Sequence, residues 1–219
     1  MASCNDSVIS GDSNESVALA DEELFLSGEY SDITIKCGDK SWALHRNILG
    51  TRSDYFYDLF RDAQAQNRRL PRTHTFRGCD PDAVGFVLEW IYRREHQDLH
   101  DNARLSIKVL LERWATAEYI ALPRLVGDLK AKAASTWIRY LNGVQQHGPA
   151  TPQHIIAGMA NAVQYAYDRG YAEQKEMLVE GAQFFGIDRL RSLRELRVLA
   201  GVGSFAQDIM THEYTGVWY

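Results

Sequence analysis

The stretch 31-SDITIKCGDKSWALHRNILGTRSDYFYDLF-60 decides how this chain is read. Its opening alternates. Ile33, Ile35 and Cys37 face one way and Asp32, Thr34 and Lys36 the other, the period-two pattern of a half-buried strand. Gly38-Asp39 is a two-residue turn with glycine first, as a type II′ hairpin prefers. The spacing then predicts a return strand over 40–44, with Trp42 and Leu44 on one face, and a short helix over 45–50. Ser53 reads as the N-cap of the next helix, with Asp54 near the positive end of its dipole. Phe56, Leu59 and Phe60, at i, i+3 and i+4, mark that helix's buried stripe. An acid, a histidine and an arginine (Asp32, His45 and Arg52) stand at the joints between these elements. Such a trio is either a reactive constellation or the polar scaffolding of an interaction surface.

Working outward, residues 1–20 are rich in Ser, Asn and Asp and are expected to form a disordered tail, because so little apolar surface cannot offset ordering entropy. A short helix over 17–28 is expected to stop at Gly28. Downstream, a third strand is expected over 73–77. Asp80-Pro81 then opens a helix, a capping acid followed by proline at the first helical position, with Val84, Val87, Leu88 and Ile91 inward. A polar connection precedes a helix over 103–121 carrying Ile107, Leu110, Leu111 and Trp114. Pro123 starts another helix, striped by Leu125, Leu129, Ala133, Trp137 and Tyr140 and expected to end at Asn142-Gly143. Residues 142–153 read as a linker, followed by about four amphipathic helices over 154–216. A small strand cluster among helices, then an all-helical tail, is an α+β order.

The totals narrow the function. The chain has 219 residues, 45% hydrophobic and 24% charged, enough for a sizeable core, and its net charge of −5 argues against nucleic acid as the main partner. Cys4, Cys37 and Cys79 are odd in number, far apart in sequence and without a CxxC pair, which argues against a disulfide framework or zinc and for a reducing compartment, cytoplasmic or nuclear. The N-terminus has no basic start or apolar stretch of a secretory signal, and no apolar run approaches the roughly 20 residues that cross a bilayer, so no membrane role is expected.

No HExxH, GxSxG or phosphate-cradling GxxxxGK[ST] motif occurs. Gly201-Val202-Gly203-Ser204-Phe205-Ala206 matches a loose dinucleotide fingerprint. It follows an Arg-Leu helical pattern rather than a strand, and reads as a helix-to-helix turn. His212-Glu213 lacks a second histidine one turn on. Arg189, Arg191, Arg194 and Arg197 interleave with leucines as a solvated helix face does. Tyr55, Phe56, Tyr57 and Phe60 fit a core helix better than a base-stacking platform, which would need a basic groove. Neither metal nor cofactor is expected, and no enzymatic activity; an enzyme of unknown class is the remote alternative.

The opening stretch resembles the start of a BTB/POZ domain, through Ser31-Asp32-Ile33-Thr34-Ile35, Leu44-His45-Arg46 with Ile48-Leu49, and Arg52-Ser53 with Tyr55-Phe56 and Leu59-Phe60. "DPDAVGFVLEWIYRRE" is similar to the family's third core helix, and "WATAEYIALPRLVGDLKAKA" to a later helix pair; the likeness covers about 21–141. "YAYDRGYAEQKEMLVEGAQFF" resembles the tail of fungal members. The family's Tyr-Thr-Gly turn is Tyr92-Arg93-Arg94 here, without glycine. The resemblance implies a small sheet of about three strands flanked by helices, and a self-associating interaction module, expected to be a homodimer. In the family, residues matching Asp32 and His45 sit near a dimer-facing pocket, so with Arg52 they form either a structural hydrogen-bonded cluster or a partner-binding one. The resemblance also implies two uses. One is a substrate adaptor docked on a cullin-type ubiquitin ligase, for which Leu99-His100-Asp101 fits the apolar-any-acid contact pattern, against the plainer reading of a tucked loop leucine. The other is a dimeric scaffold or transcription-regulatory protein without a cullin.

Overall fold

The computed structural model describes residues 21–66, 68–94, 105–185 and 203–211. The expected tail at 1–20, Leu99, Asp101 and the arginine series at 189–197 lie outside them. The described residues fall into two units. One holds those of Met1–His100 with Tyr119–Leu122; the other holds those of Asp101–Glu118 and Pro123–Tyr219.

In the first unit, alternation makes the sheet. Strand β1 (Ile33–Cys37) buries Ile33, Ile35 and Cys37. Gly38, at φ +57°, turns the chain into β2 (Lys40–Leu44), antiparallel to β1 with Cys37 opposite Lys40 and Ile33 opposite Leu44. Strand β3 (Thr73–Phe76) lies on β1's other edge, parallel, with Cys37 opposite Phe76, giving the order β2-β1-β3. A parallel neighbour needs a long crossover. Helices α2 (Arg46–Arg52) and α3 (Asp54–Ala65) lie on it. A further helical run, α1, covers 21–27 and ends at Gly28 (φ +64°), whose amide donates to the Leu24 carbonyl at 3.0 Å.

The capping residues fall where the sequence places them. Ser53 Oγ accepts from the Phe56 amide at 3.4 Å and donates to the Ile120 carbonyl at 2.7 Å, so one buried hydroxyl satisfies both a helix start and a returning segment. Asp80 accepts from the Ala83 amide at 2.9 Å and opens α4 (Pro81–Arg93), which buries Val84, Val87, Leu88, Ile91 and Tyr92. Arg94, standing where the resembled turn has glycine, still takes the glycine conformation, at φ 60° and ψ −4°, and its amide donates to the Trp90 carbonyl at 2.7 Å.

The second unit is helical: α5 (Ile107–Tyr119, its last residue in the first unit), α6 (Pro123–His147), α7 (Gln153–Arg169), α8 (Ala172–Phe185) and α9 (Gly203–Thr211). Helix α6 does not stop at Asn142-Gly143. A Cβ on Gly143 would stand 2.9 Å from Ile155 Cδ1, so this glycine allows a close approach by α7 and not a helix end. The stop comes at Gly148 (φ +51°), followed by a 3-10 turn over Gly148–Ala150. The expected linker at 142–153 thus holds the last six residues of α6 and the first residue of α7, and both α5 and α6 group with the helices that follow. Trp137 Nε1 donates to the Leu178 carbonyl at 3.1 Å and Gln174 Nε2 to the Leu111 carbonyl at 3.1 Å, tying α8 to α6 and α5. Gly170 (φ +72°) ends α7.

A left-handed conformation costs an L-residue roughly 1–2 kcal/mol, and glycine recovers it at an unfolded-state cost of about 0.5–1 kcal/mol. Arg94→Gly is therefore expected to raise unfolding stability by about 0.5–1 kcal/mol. Urea titration followed by far-UV dichroism measures it; a destabilised variant would contradict the assignment of strain to this turn.

Candidate functional site

Asp32 sits at the entry to β1, its amide donating to the Leu44 carbonyl at 3.0 Å. Its carboxylate accepts from the Arg46 amide at 2.8 Å, and Arg46 Nη1 lies 3.6 Å away. The carboxylate is therefore a remote cap for α2, whose own N-cap, His45, makes no side-chain capping bond. Arg46 Nη2 donates onward to the Pro71 carbonyl at 2.6 Å, joining the start of α2 to the segment before β3. Above this lies a groove of about 600 Å³ lined by Ser31–Thr34, Arg46, Arg69, Leu70 and Arg72. The Asp32 side chain keeps 51% of its surface exposed, so the ion pair itself contributes little, about 0–1 kcal/mol; the amide bond positions the carboxylate.

His45 turns away from this groove and is buried. Its amide donates to the Tyr92 hydroxyl at 2.9 Å, its Nδ1 lies 2.9 Å from the same oxygen, and its Nε2 lies 2.6 Å from the Glu29 carbonyl. A carbonyl only accepts, so Nε2 carries a ring proton, and the Nε2–H tautomer leaves Nδ1 to accept. The Tyr92 hydroxyl then donates to Nδ1 and accepts from the His45 amide. Burial is the main cause that raises the Tyr92 phenol above its ordinary range, keeping that proton available to donate.

Arg52 joins the same neighbourhood. Nη1 donates to the carbonyls of Ile91 and Tyr92 at 3.0 and 3.1 Å, and Nη2 to Asp21 at 2.5 Å. A guanidinium on the last turn of α4 complements the negative end of its dipole. Arg93 pairs with Glu22 at 2.6 Å and Phe25 packs on Tyr92 at 5.3 Å between ring centres, so α1 is held by two direct contacts onto the end of α4 and, through Asp21, by Arg52 of α2.

The expected trio is thus divided. Asp32 faces the groove, while His45 and Arg52 belong to a clamp around Tyr92. The donors that serve Asp32 are the amide and guanidinium of Arg46, not His45 or Arg52. Arg46, Arg69, Arg72 and Tyr92 are the residues that sequence reasoning missed as partners. The adjacent Leu44-His45-Arg46 run was the available signal for Arg46, since an arginine at the first position of a helix whose cap is histidine leaves its amide in need of an acceptor. Among the described residues, no group of three or more His, Cys, Asp or Glu side chains could hold a metal ion.

The aromatic run of α3 packs as a core helix does. Tyr55 stacks on Phe76 at 5.9 Å and its hydroxyl lies 2.9 Å from His74 Nε2, while Phe56 meets Phe76 edge-on at 6.2 Å. Tyr57 lies outside this packing, 53% exposed, with Arg61 over its ring. Burial lowers the His74 pKa from the ordinary imidazole value.

Tyr92→Phe should cost about 2–4 kcal/mol, because two buried groups of His45 lose their partner, and urea unfolding measures it. Asp32→Ala should lose about 1 kcal/mol, a remote cap's worth. The His74 imidazole binds a proton more weakly folded than unfolded, so its contribution is intact above the unfolded histidine pKa of about 6.5 and is lost as pH falls toward the lower folded value. The fall in melting temperature across that mildly acidic window should be shallower in His74→Gln than in wild type.

A family model for the BTB/POZ domain matches residues 22–125. Kelch-like protein 41b of Danio rerio is 27% identical over 83 residues, 38% of this chain and 14% of its own length. Zinc finger and BTB domain-containing protein 21 of Homo sapiens is 31% identical over 67 residues, 31% of this chain and 6% of its own. Kelch repeat protein M-T9 of Myxoma virus (strain Lausanne) is 30% identical over 128 residues, 58% of this chain and 23% of its own. The chain spans under a quarter of each relative's length. Among solved structures, the BTB domain of zebrafish PATZ1 has a TM-score of 0.44 and 14% identity, covering 57% of this chain and 96% of that one. With its three-stranded sheet, capped helices and α+β order, the segment 22–125 is a BTB/POZ domain.

Proposed function

We propose that the chain is a protein–protein interaction module that self-associates through the groove beside Asp32. The observation that carries this reading is the charge pattern of that groove. An exposed carboxylate, pinned by the first amide of α2, shares one rim with Arg46, Arg69 and Arg72. A twofold contact places the same patch on both partners, so the patch must be self-complementary. A rim carrying both signs meets that condition, and a single-sign rim does not.

Light scattering coupled to size exclusion tests it. Wild type is expected at twice the chain mass, and Asp32→Lys, which makes the rim wholly basic, is expected at the monomer mass with an unchanged far-UV dichroism spectrum. A variant that stays dimeric at the same concentrations would remove the groove from the contact.

A second reading, the cullin-type ubiquitin-ligase adaptor, draws support from the Leu99-His100-Asp101 triplet and from likeness to two kelch-named proteins. Purified cullin should then be retained by wild type and not by Leu99→Arg. A clean dimer that retains no cullin favours the scaffold reading instead.

A further inference from the structure

Three contacts in a row join the β1–β2 hairpin to the start of α4. Cys37 Sγ donates to the Cys79 carbonyl at 3.5 Å. A Cβ on Gly38 would stand 3.0 Å from Pro81 Cγ, so the hairpin turn lies directly on that proline. Lys40 pairs with Asp82. Positions 37, 38 and 40 therefore meet 79, 81 and 82 in step. The step is set by the parallel register of β1 on β3, with Cys37 opposite Phe76, and by Asp80 fixing where α4 begins. The clamp thus holds the Cys37 thiol 3.5 Å from the backbone carbonyl of Cys79, 42 positions on in the chain, whose own thiol donates to the Arg77 carbonyl at 3.9 Å. Cys37 is buried at the end of β1, Cys79 is half-buried in the following turn, and both are reduced. Burial, then the nearby charges of Cys79 and Asp80, push the Cys37 thiol pKa up.

We propose that Cys37 and Cys79 are a redox-responsive pair that a small-molecule disulfide converts to an intramolecular cystine. Cys79, the more accessible thiol, attacks first as its thiolate. Its sulfur bonds to one sulfur of the oxidant, and the other half leaves as a thiolate. Cys37 then gives its proton to solvent and attacks Cys79 Sγ, and the bond between Cys79 and the oxidant breaks to release the second half. Two protein thiols lose two electrons and two protons, and the small disulfide gains them as two thiols. Because Cys37 holds its proton firmly, the second step quickens as pH rises. The resulting bond closes the loop that carries α2 and α3, and so ties the sheet to α4 independently of the noncovalent contacts around it.

The test uses the full-length chain in a Cys4→Ser background, so that only the pair remains. The folded protein is treated with oxidised glutathione at mildly alkaline pH, then analysed by intact mass and peptide mapping. The expected product has lost two hydrogens and yields a linked Cys37–Cys79 peptide. Cys37→Ser is expected to hold glutathione on Cys79, and Cys79→Ser, at the more accessible position, to yield no linked peptide. Glutathione retained on Cys79 with Cys37 still open to alkylation in the otherwise intact chain would overturn the proposal. So would a linkage that forms only after denaturant is added.

Discussion

The Tyr92 hydroxyl joins elements that lie far apart in the sequence. Tyr92, at the end of α4, accepts from the His45 amide and donates to the His45 ring, whose far nitrogen reaches the Glu29 carbonyl. The chain of bonds ties the exit of β2, the start of α2, the end of α1 and the end of α4 into one point. It is buried, and a buried polar chain is an asset only when every member is satisfied. Here each is: the hydroxyl uses its proton and a lone pair, the ring uses both nitrogens, and the carbonyl accepts. Arg52 completes the arrangement by covering the last carbonyls of α4 with a guanidinium that Asp21 neutralises.

The functional consequence is a division of labour between neighbours in sequence. His45 faces inward and fixes the frame; Arg46, the next residue, faces the groove, bonds Asp32 through its amide and holds its guanidinium 3.6 Å from the same carboxylate. A mixed-sign rim on a rigid frame is suited to meeting another protein surface, where shape and charge must both match. Under the proposed self-association, the rim beside Asp32 meets a second copy while the buried hydrogen bonds around Tyr92 hold the frame behind it.

Much of the frame is legible in the sequence because it is written locally. The alternation of 31–37, the glycine-first turn, Ser53 and Asp80 as caps, and the stripe of α4 depend on residues within a few positions of one another. What is not legible is written across the chain. Asp32 could have found its donor in His45, Arg46 or Arg52, and only the crossing of β1 past the start of α2 decides for Arg46. Cys37 and Cys79 look isolated in sequence, and the parallel pairing of β1 with β3 brings them together. Gly143 was ambiguous in a different way. Glycine both ends helices and admits close neighbours, and the presence of Ile155 against it settles which role it plays.

The frame depends on the direction of the proton in the buried link, and long-range proton–nitrogen correlation spectroscopy of His45 reads that directly. The arrangement predicts a proton on Nε2, facing the Glu29 carbonyl, and an Nδ1 that accepts from Tyr92. A ring whose proton sits on Nδ1 and not on Nε2 would leave the Glu29 carbonyl without its donor and would contradict the arrangement on which the frame depends.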